Sequence, residues 1–134
     1  MKYLLDTNIC IYIIKRKYPE ILSHLLKVGF KNIAISTITV AELEYGVANS
    51  TRSFEAQSAL MEFILPFEIL DFTSTAASFY GRIRKELFQK GTPISDMDML
   101  ISATALAHNL IVVTNNENEF RRISSLKVEN WKNP

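Results

Sequence analysis

Only one cysteine, Cys10, occurs in the 134 residues. No intramolecular disulfide can form, and the isoleucine-rich surroundings of Cys10 mark it as a small buried apolar residue. No run of about 18 apolar residues is available to cross a bilayer. The opening residues, MKYLLDTN, hold a lone lysine and only a short apolar stretch before Asp6, too little for the hydrophobic part of a secretory signal. Neither sign of charge is in excess: 15 basic and 14 acidic side chains leave a net charge of +1. That excludes an overall basic coat for non-specific nucleic-acid binding, yet leaves room for a local basic patch beside an acidic site. There is no GxxxxGKS/T phosphate loop, no internal repeat, no low-complexity tract and no linker. These absences lead to the expectation of one soluble, cytoplasmic domain over residues 1–134 without a membrane partner.

What is present is a 48% hydrophobic fraction, enough for a substantial core. Tyr3-Leu4-Leu5 is a short apolar run stopped by Asp6-Thr7-Asn8, which reads as a buried parallel strand and the turn at its carboxyl end. Ile9 to Lys17 follows as a helix, with Asp6 or Thr7 as its N-cap. Pro19 opens a second helix that Gly29 stops, with Ile21, Leu25 and Val28 on one face. Ile33–Ser36 is the next strand, and Thr37 or Thr39 caps the helix that carries Glu42. A helix over Phe54–Leu65 with Phe54, Met61 and Ile64 roughly on one face ends at Pro66. Phe67–Phe72 reads as a third strand. Thr73 or Ser74 caps a long helix in which Ala76, Tyr80, Ile83 and Leu87 share a stripe. Asp96–His108 is apolar most of the way round and belongs inside the core, with Asn109 closing it. Ile111–Thr114 is a fourth strand, Glu119–Ile123 a helical turn, and Leu126–Trp131 a last short strand. Strands alternating with helices imply an α/β/α sandwich around a mostly parallel sheet of four to five strands.

In such sheets ligands gather beyond the carboxyl ends of the strands, at the point where the strand order reverses. Asp6 directly follows the first strand, Glu42 lies about one turn into the helix after the second, and Asp96 and Asp98 open the helix that feeds the fourth. Asn115, Asn116 and Glu119 follow that strand. Carboxylates gathered there repel one another and require a cation; hard oxygen donors suit Mg²⁺ or Mn²⁺. Each residue also has a plainer reading: Asp6 as a helix cap, Glu42 as a solvated acid, Asp96 as a cap or dipole-stabilising acid, Asn116 as a turn residue. An acid at Asp98 amid Met97, Met99, Leu100 and Ile101 is costly unless paired or metal-bound. His24 and His108 are read as ordinary surface helix residues, not as a general base.

Four segments, LLDTN at 4–8, ISTITVAELEYG at 35–46, GTPISDMDMLISATA at 91–105 and IVVTNNENEF at 111–120, together resemble the PIN-domain ribonucleases, most nearly the VapC toxins of bacterial toxin–antitoxin modules. The likeness covers nearly the whole chain, in order. It implies a Mg²⁺-dependent endoribonuclease with Asp6, Glu42 and Asp98 as metal-binding catalytic acids. Asp98 is selected over Asp96 by the Leu100-Ile101-Ser102-Ala103 stretch behind it. The fourth catalytic position maps to Asn116, with Glu119 nearby. The implied substrate is structured RNA cut in single-stranded loops, often transfer RNA. The implied partners are a VapB-type antitoxin and a second copy of the chain, as a homodimer within a larger assembly. Ile9, Tyr12, Ile13, Leu22 and Leu26 on the first two helices are candidates for the antitoxin groove. Lys15, Arg16 and Lys17, or Arg82 and Lys85 beside Arg84, are candidates for phosphate contact, and Tyr45 for either base stacking or core packing. The rival reading is a non-catalytic, receiver-like signalling or phosphate-binding domain. It would need an acidic pair after the first strand and a lysine after a late one, where this chain has Thr7-Asn8 and Asn115-Asn116.

Overall fold

In the computed structural model, which describes residues 1–132, five strands and seven α-helices alternate along the chain. The order is β1 (Tyr3–Leu5), α1 (Thr7–Ile14), α2 (Pro19–Val28), β2 (Ile33–Ser36), α3 (Thr37–Ala48), α4 (Ser53–Ile64), β3 (Glu68–Leu70), α5 (Ser74–Gln89), α6 (Asp96–Ala107), β4 (Ile111–Val113), α7 (Glu117–Phe120) and β5 (Val128–Glu129). A short 3₁₀ turn, Phe30–Asn32, leads into β2. The sheet is parallel throughout, in the order β3-β2-β1-β4-β5.

Strand polarity divides the core. Tyr3, Leu5, Ile33, Ile35 and Val113 project to one face and pack with residues of α1 to α4, including Ile9, Ile21, Leu25 and Leu60. Leu4, Ala34 and Val112 project to the other, against Ile83 and Leu87 of α5 and Met99 and Ile101 of α6. Both central strands are therefore buried throughout, as their unbroken apolar runs require. The chain winds from β1 outward to β3, crosses the sheet, and returns to β4 beside β1. This makes the β1–β4 seam the place where the winding direction reverses.

Helix α6 carries small buried residues, Ser102, Ala103 and Ala105, that let it lie close to the sheet. The hydroxyls of Ser102 and Thr104 donate to the carbonyls of Asp98 and Leu100, so no polar group is stranded there. Trp131, 1% exposed, lies edge-on to Tyr3 and stacked on His24, which ties the C-terminal segment to the first strand and to α2. No helix among the described residues is long and apolar enough to cross a membrane.

Several local expectations change. Helix α1 ends at Ile14, not Lys17, because Arg16 takes a left-handed backbone (φ 53°) that breaks the helix before Pro19. Ser36 caps α3 in place of Thr37 or Thr39, and Ser95 caps α6 in place of Asp96. On α4 Leu60 is buried and Phe63 and Ile64 pack against the same core, so Ile64 faces inward as expected, whereas Phe54 and Met61 are 81% and 60% exposed. Asn109 takes the left-handed position after α6 (φ 54°), as its type allows. Cys10 is fully buried, and burial raises its thiol well above the usual range.

Candidate active site

Asp6 stands one residue past β1, and its backbone N–H donates to the carbonyl of Val113, extending the seam with β4. Its side chain does two jobs. Oδ1 accepts the Ile9 N–H at 2.9 Å, capping α1, and Oδ2 accepts the hydroxyl of Thr114 at the end of β4. Thr114 Oγ1 in turn accepts the N–H of Asn116 at 2.8 Å, which fixes the turn after β4. Asp6 is 3% exposed. Burial raises its carboxyl from 3.8 to about 6, opposed by the bonds from Thr114 and Ile9 and reinforced by the nearby charges of Asp98 and Glu42.

Glu42 is on α3, whose cap Ser36 closes β2. Its Oε1 accepts the hydroxyl of Thr7, the residue following Asp6, and Thr7 also reaches Thr39 Oγ1 at 3.2 Å. Asp98 is in the first turn of α6, where its N–H donates to the capping Ser95. Its carboxyl is raised, first by burial and then by the charges of Glu42 and Glu119, against a lowering hydrogen bond from Ser95. Two of the three acids thus sit at helix N-termini, whose unpaired N–H groups favour negative charge.

The three carboxylates line one cleft of about 490 Å³, together with Thr7, Asn8, Ile11, Ala41, Tyr45, Gly46 and Met97. No basic side chain lines it, and none of the three is in an ion pair among the described residues. As they stand, no three acidic, histidine or cysteine side chains among the described residues converge closely enough to chelate an ion. The fit to a hard cation rests on the donors themselves: carboxylate oxygens are the ligands magnesium takes, one or two directly and the rest as waters. Each Asp6 oxygen spends one hydrogen bond inside the fold and has acceptor capacity left on the cleft side.

The other candidates separate. Asp96 points away into a 3.1 Å ion pair with Arg84, which also donates to Tyr80. Asn116 precedes α7 without capping it through its side chain, and neither it nor Glu119 lines the cleft, although the charge of Glu119 reaches Asp98. Arg82 lies over Phe79, and Lys17 over Tyr12 and Tyr18. The residues missed from sequence are Thr7 and Thr114. Thr7 directly follows Asp6 and Thr114 follows the apolar run of β4, but a threonine there carries no chemical signature until the strands are paired.

The PIN domain family profile matches residues 3–126. The chain belongs to the PIN-domain family. Within it, the chain is 47% identical over 133 residues to the ribonuclease VapC2 of Rickettsia felis, covering 98% of both chains. It is 40% identical over 131 residues to the tRNA(fMet)-specific endonuclease VapC of Salmonella typhimurium, again with 98% of each covered. Among solved structures, VapBC2 from Rickettsia felis bound to a promoter DNA fragment superposes with a TM-score of 0.91 at 44% identity, over 98% of this chain and 99% of that one. DNA-bound VapBC from Salmonella typhimurium gives 0.93 at 39% identity, over 98% of each. The expected α/β/α architecture and the VapC likeness are thereby borne out for this PIN domain.

Proposed function

We propose that this PIN domain is a magnesium-dependent endoribonuclease, with manganese as a substitute, acting as the toxin of a VapBC module on structured RNA, transfer RNA among it. The observation that carries the reading is the gathering of Asp6, Glu42 and Asp98 on one cleft without a single basic neighbour. Relatives named as ribonucleases, one of them specific for tRNA(fMet), support it. Asp6 and Asp98, the two acids raised by burial and by the charges of neighbouring acids, would hold the cation. Bound there, magnesium would supply an acidified water and neutralise phosphate oxygens. Glu42, with Oε1 held by Thr7, keeps Oε2 to orient a water in line with the scissile bond. The fourth position falls to Asn116 or Glu119, and the coupling of Glu119 to Asp98 favours the acid.

The antitoxin reading draws support from a second groove of about 340 Å³, lined by Ile11, Ile14, Leu43, Val47 and Leu60 with Lys15 at its edge. It shares Ile11, Glu42 and Gly46 with the acidic cleft. An amphipathic VapB helix seated there could extend a basic side chain toward the acids. This groove is lined from α1, α3 and α4; of the residues expected on the first two helices, Ile9 is fully buried in the core, whereas Leu22 and Leu26 lie exposed on α2 outside it. Homodimerisation and a cytoplasmic site of action complete the proposal. Purified protein incubated with transfer RNA should cleave only with Mg²⁺, and Asp98→Asn should lose about 100-fold or more, at or above the roughly 10–100-fold cost of removing a group that supports a metal ligand. No metal-dependent cleavage, or full activity in Asp98→Asn, would overturn the nuclease. Expression without antitoxin should arrest bacterial growth in a manner that requires Asp6.

A further inference from the structure

Tyr45 follows Glu42 by three residues, so both stand on one face of α3. Its ring lines the acidic cleft yet is 72% exposed, which excludes a core-packing role. Met97, adjacent to Asp98, lines the same cleft and is 43% exposed. The two acids nearest the solvent are thus each accompanied by a large apolar side chain left open to water. Gly46, next to Tyr45, adds no bulk: a side-chain carbon there would meet nothing within 4 Å. The cleft also lacks any lysine or arginine to grip a phosphate.

We infer that Tyr45 and Met97 form a clamp for the nucleobase next to the scissile phosphate, with the Tyr45 ring stacked on an unpaired base of single-stranded RNA. The inference rests on the nuclease reading for its substrate, but its chemistry is separate. Beside three carboxylates and without a basic side chain, the protein itself offers a polyanion no charge to hold it, so grip beyond what a bound cation would supply must come from contacts to the base. Every base offers a π-face to an aromatic ring, and a thioether packs well on the edge of one. A base already stacked in a duplex offers no such face, so the clamp selects unpaired nucleotides. The two residues act on the substrate and form no part of the fold's core. Their replacement should leave folding intact.

The test uses the full chain and a single-stranded RNA oligomer carrying 2-aminopurine beside the cleaved bond, with calcium in place of magnesium to follow binding. The wild type should quench the probe, and Tyr45→Phe, which keeps the ring, should quench it too. Tyr45→Ala should lose the quench and bind roughly 5- to 100-fold more weakly, the range for one stacked base. With magnesium, its loss should fall mainly on KM. Phe88→Ala, which removes an exposed aromatic on α5 outside the cleft, serves as control and should track the wild type. Unchanged quench in Tyr45→Ala overturns the clamp, as does Tyr45→Phe failing as badly as alanine. A fall in sedimentation-measured assembly in Tyr45→Ala that parallels the lost binding would instead make Tyr45 a contact between copies, and also overturns it. Quench without any cleavage by the wild type would sink the nuclease reading and leave the clamp standing. Cleavage whose KM ignores Tyr45 would do the reverse, and a wild type that binds no RNA removes both.

Discussion

Replacing Asp6 by asparagine should make the metal-free protein more stable at neutral pH. The Asp6 carboxyl titrates at about 6 in the fold against 3.8 as an ordinary side chain. The folded state therefore holds this proton to higher pH than the unfolded chain does. Stability contributed by the group is full below about 4, declines as pH rises from 4 to 6, and is flat above. A shift of about two units corresponds to about 3 kcal/mol. Asparagine mimics the protonated acid. It keeps an oxygen to accept the Ile9 N–H, but its amide hydrogens compete at Thr114 Oγ1 with the Asn116 N–H. Allowing about 1 kcal/mol for that misfit, Asp6→Asn should gain about 2 kcal/mol at pH 7.5 in EDTA, near 6–8 °C in Tm for a domain of this size. Circular dichroism melts and urea titrations measure it. Magnesium narrows the gap and then reverses it. At tenfold over its Kd it adds about 1.4 kcal/mol to the wild type and little to the variant, and at about 100-fold, where it adds about 2.7 kcal/mol, the wild type becomes the more stable. If the two proteins melt together in EDTA at pH 7.5, or if their difference does not shrink toward pH 4, the buried charge is not the cost that the geometry makes it.

The same titration should set the acid limb of cleavage where Mg²⁺ is scarce: with Mg²⁺ held well below its Kd, kcat/KM should fall as pH drops below about 6, and saturating Mg²⁺, which binds the deprotonated carboxyl, should move this limb to lower pH. Thr114→Val removes a bond that lowers the Asp6 carboxyl, so this limb should move toward neutrality and stability should fall by about 1.5–3 kcal/mol; an unmoved limb counts against the hydroxyl's role. Glu119→Gln should weaken the Mg²⁺ dependence by roughly 10–100-fold and lower the Asp98 carboxyl, with Asn116→Ala milder; the opposite ranking would give the fourth position to Asn116. Trp131→Ala should cost about 3–5 kcal/mol by thermal melting, since it empties a buried site between Tyr3 and His24.

The layered architecture was legible because a doubly covered parallel sheet imposes a simple signature: Tyr3-Leu4-Leu5, Ile33-Ala34-Ile35 and Ile111-Val112-Val113 are unbroken apolar runs, each cut short by polar residues. The gathering of three acids on one cleft was legible from position: Asp6 after β1, Asp98 in the first turn of α6 and Glu42 little more than a turn into α3. What was not legible depends on pairing. Thr114 reaches Asp6 across 108 residues of chain, and only the register of β1 beside β4 reveals that contact. The caps at Ser36 and Ser95 were passed over because each is followed by other capping types within a few residues, and backbone angles alone choose among them. Periodicity also misjudged α4. Phe54 and Met61 fit a helical stripe, but Leu60 is the residue that meets the sheet side, a rotation of one position that composition does not encode.

Capping α1 leaves Asp6 compatible with the proposed site, since the same side chain lines the acidic cleft. A carboxylate 3% exposed and without a cationic partner is tolerable only if something else holds its charge. The Ile9 N–H and the Thr114 hydroxyl do so, one per oxygen, and both lower the carboxyl that burial raises. Neither carries a formal charge, so neither cancels the repulsion from Asp98 and Glu42. The cap therefore fixes the position of the carboxylate without satisfying its electrostatics. A group held rigidly and left under-neutralised is stabilised by a divalent cation and not by a fixed lysine or arginine, which would occupy the same cleft permanently. The basic side chain proposed to come from an antitoxin would use the same unmet field, and would compete with magnesium for it.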